Sequence, residues 1–186
     1  MSEESIGIML SAATLLVIAA TAVAAIVQLR HLRASNQLSA LLEVLEMWNK
    51  PELRSAYAAL YELPAKIEDP AYVAGLRLPG AVNRATHPAL LVCDFWEQIG
   101  SYVKFGLLDK DVLMDVSSTQ VANTWRRAWP MIEILRERGG PSAYENFEYL
   151  AVCGLRWQQR FPNGMYPRRV PRMAELLLQL GESERN

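Results

Sequence analysis

The sequence predicts an all-α protein, a single N-terminal transmembrane helix continuing into a cytoplasmic helical-bundle domain, and three observations carry that expectation. Residues 5–29 hold no charged side chain, with Ile6, Leu10, Leu15, Leu16, Val17, Ile18, Val23, Ile26 and Val27 set among alanines. Downstream, apolar residues recur at i, i+3, i+4 and i+7, the spacing of one helix face. No window shows sustained alternation of apolar and polar residues, the period of a half-buried strand.

The apolar run organises the rest. A hydrocarbon core about 30 Å thick is crossed by about 20 such residues as helix. Glu3 and Glu4 precede the run and Arg30, His31 and Arg33 follow it. Basic residues favour the cytoplasmic side, so the N-terminus is expected outside and the C-terminal domain inside. Ala22, Val23 and Ala24 also resemble a signal-peptide cleavage site. Against that stand an acidic n-region and an apolar stretch longer than an h-region. Gly7 with Ser11, and Ala20 with Ala24, are small-xxx-small pairs that let a second helix approach. The expected organisation is a tail and span over residues 1–29, a polar juxtamembrane link over 30–37, and one domain over 38–186.

Beyond the span, about 150 residues suffice for one buried core. Lys plus Arg number 19 against 20 Asp plus Glu, so no overall field draws the chain to nucleic acid, and no such partner is expected. Cys93 and Cys153 lack neighbours at metal-ligand spacing and are expected as free thiols.

In order, Leu38, Leu41, Leu42, Leu45 and Trp48 predict an apolar helix face beginning at the membrane surface. Asn49 is expected to cap a second helix, with Pro51 in its first turn, that buries Leu53, Ala56, Tyr57 and Leu60 and ends near Leu63. Residues 64–86 carry Pro64, Pro70, Gly75, Pro79 and Gly80 and predict a long irregular stretch with short helical turns near Tyr72. Thr86 is expected to cap a helix that buries Leu91, Val92, Phe95, Trp96, Ile99, Tyr102 and Val103 and stops at Gly106. A short helix over 109–115 follows, and then a Ser117–Gln120 capping box opens a long one that buries Val121, Trp125, Ala128, Ile132 and Leu135 and bends at Pro130. Ser142 and Glu145 suggest a further box before a helix burying Phe147, Leu150, Ala151, Gly154, Trp157 and Phe161. Met173, Leu176, Leu177 and Leu180 predict a last short helix, stopped by Gly181.

Chemical constellations are weak. Asp94 with Glu97 and Glu145 with Glu148 are carboxylate pairs at i,i+3, but no Glu-x-x-His accompanies them and all four fall opposite the apolar faces. Solvated faces are expected, with Glu97 or Glu148 within reach of Arg136. His31 and His87 have no nucleophile or base at suggestive spacing and read as surface histidines. Residues 75–80 lack the Gly-Lys-Ser/Thr ending of a phosphate loop. No catalytic residue, metal ligand or cofactor is expected.

Phe95, Trp96, Glu97 and Ile99, then Gly106, Leu107, Leu108 and Asp109, then Trp125, Pro130 and Ile132, then Phe147, Glu148 and Leu150 occur in an order that resembles an uncharacterised bacterial family. That family has one N-terminal span and a helical domain of unknown function, so the resemblance implies architecture, with no activity attached; the bacterial inner membrane is the expected location. The expected function is that of a non-enzymatic accessory or scaffold subunit that binds a membrane protein or a second copy of itself. A membrane-tethered enzyme or sensor with residues 64–86 as a lid is the alternative. Between Tyr149 and Ala174 the chain carries Arg156, Arg160, Arg168, Arg169 and Arg172 and no acid. Arg30, Arg33, Arg168, Arg169 and Arg172 are therefore the residues expected against lipid headgroups or an acidic partner.

Overall fold

The computed structural model describes residues 3–183, and among them there are helices and no strand. The side chains of Glu3, Glu4, Ile6 and Leu180, named above, lie outside the described residues. Seven helices follow in order: α1 Glu3–Trp48, α2 Pro51–Ile67, α3 Pro70–Arg77, α4 Ala89–Lys104, α5 Lys110–Gly139, α6 Glu145–Arg160 and α7 Met173–Ser183. The chain is all-α, a long apolar N-terminal helix leading into a helical bundle.

α1 is a single helix of 46 residues, about 69 Å at 1.5 Å per residue, and the link over 30–37 is part of it. Its N-terminal half is long and apolar enough to cross a membrane, and no part of that apolar window is buried by the rest of the chain. Lower down, the buried face differs from the expected one. Val44 is buried, with Ala40, Leu41, Met47 and Trp48 beside it, while Leu38, Leu42 and Leu45 are 58%, 57% and 40% exposed. Two apolar stripes compete on this segment, and Trp48 selects the one that docks. Its indole lies 5.3 Å from the Tyr57 ring, 5.5 Å from Phe95 and 5.7 Å from Trp96, so the helix rotates to bury that flank.

α2 corrects the second boundary. Asn49 does not cap it; the Asn49 Nδ2 donates back to the Leu45 carbonyl at 2.9 Å and closes α1. The helix also passes through Pro64 to Ile67, because burying Leu63 and half-burying Ile67 outweighs the one bond that proline removes. Asp69 then caps α3 by accepting from Ala71 N at 2.9 Å, with Pro70 in the first turn. The expected long irregular stretch is thus reduced to residues 78–88.

Thr86 does not cap α4. Its hydroxyl lies 3.1 Å from the Asn83 carbonyl and 2.9 Å from His87 Nδ1, and the helix begins after Pro88. Asp109 caps α5 by accepting from Asp111 N and Val112 N, and one helix of 30 residues replaces the expected pair. Ser117 therefore sits inside it, buried, with no cap to make. Pro130 lies within α5 on the exposed side. Trp125 is half-buried, stacked edge-on to Phe147 at 5.0 Å, whereas Trp157 is 8% exposed.

α6 is the keystone of the bundle, packed mainly on α5 and α4. Phe147, Leu150, Ala151, Gly154 and Trp157 are buried, as their spacing predicts. Two glycines permit the close approach. A Cβ on Gly100 of α4 would meet the Asn146 carbonyl oxygen at 2.2 Å, and one on Gly154 would meet the Ser118 carbonyl oxygen at 2.7 Å. α7 runs past Gly181 to Ser183, and Met173, Leu176 and Leu177 are exposed instead of forming core, because no bundle helix packs broadly against them.

Candidate functional site

The most polar region lies where α4 meets the start of α6. Arg84 forks onto Asp94, Nε to Oδ2 and Nη2 to Oδ1, both at 2.9 Å, and gives Nη1 to the Val82 carbonyl at 2.7 Å. Tyr144 donates its hydroxyl to the same Asp94 Oδ1 at 2.8 Å. One turn on, Glu97 accepts from Asn146 Nδ2 at 2.7 Å and from Phe147 N at 2.8 Å. α6 needs this help, because Tyr144 stands at its N-cap in the left-handed region, φ 58°, with no side-chain cap. A carboxylate from another helix satisfies the open N–H and suits the positive end of the helix dipole. Arg136 gives Nη2 to Glu148 at 2.7 Å and Nε to the Ala143 carbonyl at 3.0 Å, the partnership expected of Glu148. Lys104 reaches Glu145 and Asn146, each at 3.2 Å.

Asp94, Glu97 and Glu148 are therefore more than solvated faces: the Asp94 and Glu148 side chains stay 40% and 45% exposed, yet all three carry joints, with partners 10 to 50 residues away. His87 is likewise no surface histidine: it is 4% exposed, with Nε2 donating to the Tyr72 carbonyl at 2.9 Å and its ring 4.3 Å from the Tyr72 ring. It ties residues 78–88 to α3. The missed partners, Arg84 and Tyr144, lie in the connections between helices, where no periodicity marks them.

These groups are closed against one another. Burial, then the charge of Asp94, pushes the Cys93 thiol up, so it stays protonated. Burial and Asp94 likewise hold the Tyr144 phenol above its ordinary value, and burial, then Cys93, takes Tyr72 to about 12. Hydrogen bonding to Asp94 keeps Arg84 charged. Both cysteines are free. Among the described residues no three His, Cys, Asp or Glu side chains gather as metal ligands would. A hollow of about 510 Å³ between α2 and α3 is lined by Ile67, Glu68, Pro70, Val73, Ala74 and Arg77 and lies open. α3 takes up 70–77 of the stretch expected as a lid, and that stretch itself lines this hollow.

The open chemistry lies instead around the lower half of α1. Ala34, Gln37, Leu38 and Leu41 face Leu108, Asp109 and Val112 across a groove of about 220 Å³. Phe105 and Leu107 beside it are 73% and 60% exposed, and Val116 67%. On the far side of the α5 N-terminus, Lys110 and Met114 share a hollow with Arg156 and Arg160 at the end of α6. The basic end of α6 therefore sits at the same end of α5 as the lower half of α1.

The residues named from sequence for membrane or partner contact are all on the outside. Arg30 and Arg33 are exposed on α1, as are Gly7, Ser11, Ala20 and Ala24. Arg168 and Arg169 are exposed, while Arg172 folds over Tyr166 at 4.5 Å and donates to the Asn163 carbonyl at 2.9 Å.

A family model described as Domain of unknown function (DUF4760) matches residues 15–157, from within the apolar half of α1 to the end of the α6 core face. No curated protein and no solved structure matches the chain.

Proposed function

We propose, for a chain that belongs to the family described as Domain of unknown function (DUF4760), a single-span protein of the bacterial inner membrane whose cytoplasmic helical domain binds other membrane proteins as an accessory or scaffold subunit. The observation that carries this reading is α1. One helix begins with an uncharged apolar stretch, exposed throughout, and runs without a break into the bundle, so the domain is held rigidly at the membrane surface. Acidic Glu3 and Glu4 before the stretch and basic Arg30 and Arg33 after it support an outside N-terminus. Asp94, Glu97 and Glu148 are engaged in joining helices, with Arg84 and Tyr144, Asn146 and Arg136 as their partners, which favours binding over catalysis.

Arg168 and Arg169, in a segment without acids, fit contact with anionic headgroups, and each basic residue that reaches them contributes about 1 kcal/mol. Reporter fusions test the orientation. A reporter at the C-terminus that works only in the cytoplasm is expected, and one that works only outside it would overturn the proposal. For the binding role, purification of the full chain in mild detergent should yield a complex of fixed stoichiometry. A purely monomeric chain would remove that role.

A further inference from the structure

We propose that two copies of this chain pair through α1, in parallel, along a seven-residue repeat that runs from the span into the water-exposed half of the helix. The proposal rests on α1 being a span and names the partner as a second copy.

All the polar side chains of residues 7–29, namely Ser11, Thr14, Thr21 and Gln28, fall within an arc of about 100° of the helix. Thr14, Thr21 and Gln28 are seven residues apart, and the same step continues through Ser35 to Leu42. Below the span the stripe turns apolar. Leu38, Leu42 and Leu45 are 58%, 57% and 40% exposed there, rotated about 100° to 160° from the buried Val44. The chain's own domain therefore covers a different face; on this one only Leu38 borders the groove against α5, and Leu42 and Leu45 face away from it. In lipid the stripe carries every polar side chain of residues 7–29, and in water, past Ser35, it carries exposed Leu38, Leu42 and Leu45, which suit another helix of the same pattern better than they suit water.

The occupant follows from the register. Two copies inserted the same way bring like positions to the same level, which a seven-residue repeat requires, and the slow drift of such a repeat, about 20° per heptad, gives a left-handed pair. The side chains in the span permit close approach. The hydroxyls of Thr14 and Thr21 donate to their own helix, to the Leu10 carbonyl at 2.9 Å and the Val17 carbonyl at 2.8 Å, so they present short satisfied groups. Gly7 lies on the same stripe with open space around its Cβ position.

Disulfide cross-linking in native membranes tests this with the full chain. The parent carries Cys153→Ala and keeps Cys93, which is fully buried. Single cysteines go to Ser35, Leu38, Leu42 and Leu45 on the stripe and to Asn36 and Glu43, exposed but off it. Mild oxidation is expected to give covalent dimer at the first four with several-fold higher yield than at the last two. Equal yields at all six, a maximum at Asn36 and Glu43, or no dimer anywhere would overturn the pairing. Alkaline carbonate extraction of the same membranes checks the span separately: release of the chain strikes that reading, while the cross-linking pattern below the span still decides on the pair.

Discussion

Replacing Gly100 with alanine sets two elementary effects against each other. Alanine is the better helix former by about 1 kcal/mol, so propensity alone says the variant gains stability. Packing says the opposite. The added Cβ would lie 2.2 Å from the Asn146 carbonyl oxygen and 2.5 Å from its carbon, both backbone atoms with nowhere to rotate. Ordinary contact needs about 3.5 Å, so α4 and α6 must part by about 1 Å. Overpacking of this kind costs about 1–3 kcal/mol. The same displacement stretches the bonds from Asn146 Nδ2 and Phe147 N to Glu97, which are 2.7 and 2.8 Å long. Bonds to a charged group are worth about 1.5–3 kcal/mol, less here because Glu97 is partly exposed. The net is a loss of about 2–3 kcal/mol, or a Tm lower by about 4–12 °C for a chain of this size. Thermal unfolding of the full chain in mild detergent, followed by tryptophan fluorescence, reads it directly. An unchanged or higher Tm would mean that the α4–α6 contact is looser than described and that propensity decides.

Trp157→Ala should cost about 3–5 kcal/mol, and Trp125→Ala clearly less, because Trp125 is only half-buried; equal losses in urea unfolding would show that the face of α5 is misplaced. Tyr72, raised to about 12 chiefly by burial, stays protonated in the fold when the unfolded chain has ionised, so its own contribution to stability is full below about pH 10 and is lost as pH rises from there toward 12, on top of the losses from Cys93 and Tyr144, which burial also raises. Tyr72→Phe should flatten that decline, and a decline of unchanged slope would refute the assignment. In the full chain reconstituted into vesicles, hydrogen exchange over residues 161–178 should be slower with anionic than with neutral lipid. Replacing Arg168, Arg169 and Arg172 with glutamine should abolish the difference, and equal exchange in the wild type would remove the lipid contact.

Much of the architecture was legible because it rests on periodicity. The core faces of α4 and α6 follow from their apolar spacing, and the uncharged stretch of α1 needs only counting. Boundaries failed where a local signal met a stronger tertiary demand. Pro64 reads as a stop, yet Leu63 and Ile67 pull α2 onward; Ser117 and Gln120 read as a helix start, yet Asp109 had already opened α5. Asp69 followed by Pro70 was a readable start for α3, obscured by the prolines and glycines around it. Of the joints only Arg136 with Glu148 was readable; Arg84 with Asp94 and Asn146 with Glu97 pair residues whose meeting depends on how helices cross. On α1 the choice between two apolar stripes was made by Trp48 in three dimensions, and that choice left Leu38, Leu42 and Leu45 exposed.

The most direct test of the account is the fate of α1 in the cell. Membranes carrying the chain with a C-terminal tag are extracted with alkaline carbonate, the retained protein is weighed by mass spectrometry, and spheroplasts are treated with protease. The chain is expected to resist extraction, to keep the whole of α1, and to hold its tag protected until the membrane is breached. A chain released by carbonate, shortened to begin just after Ala24, or stripped of its tag in intact spheroplasts would contradict it.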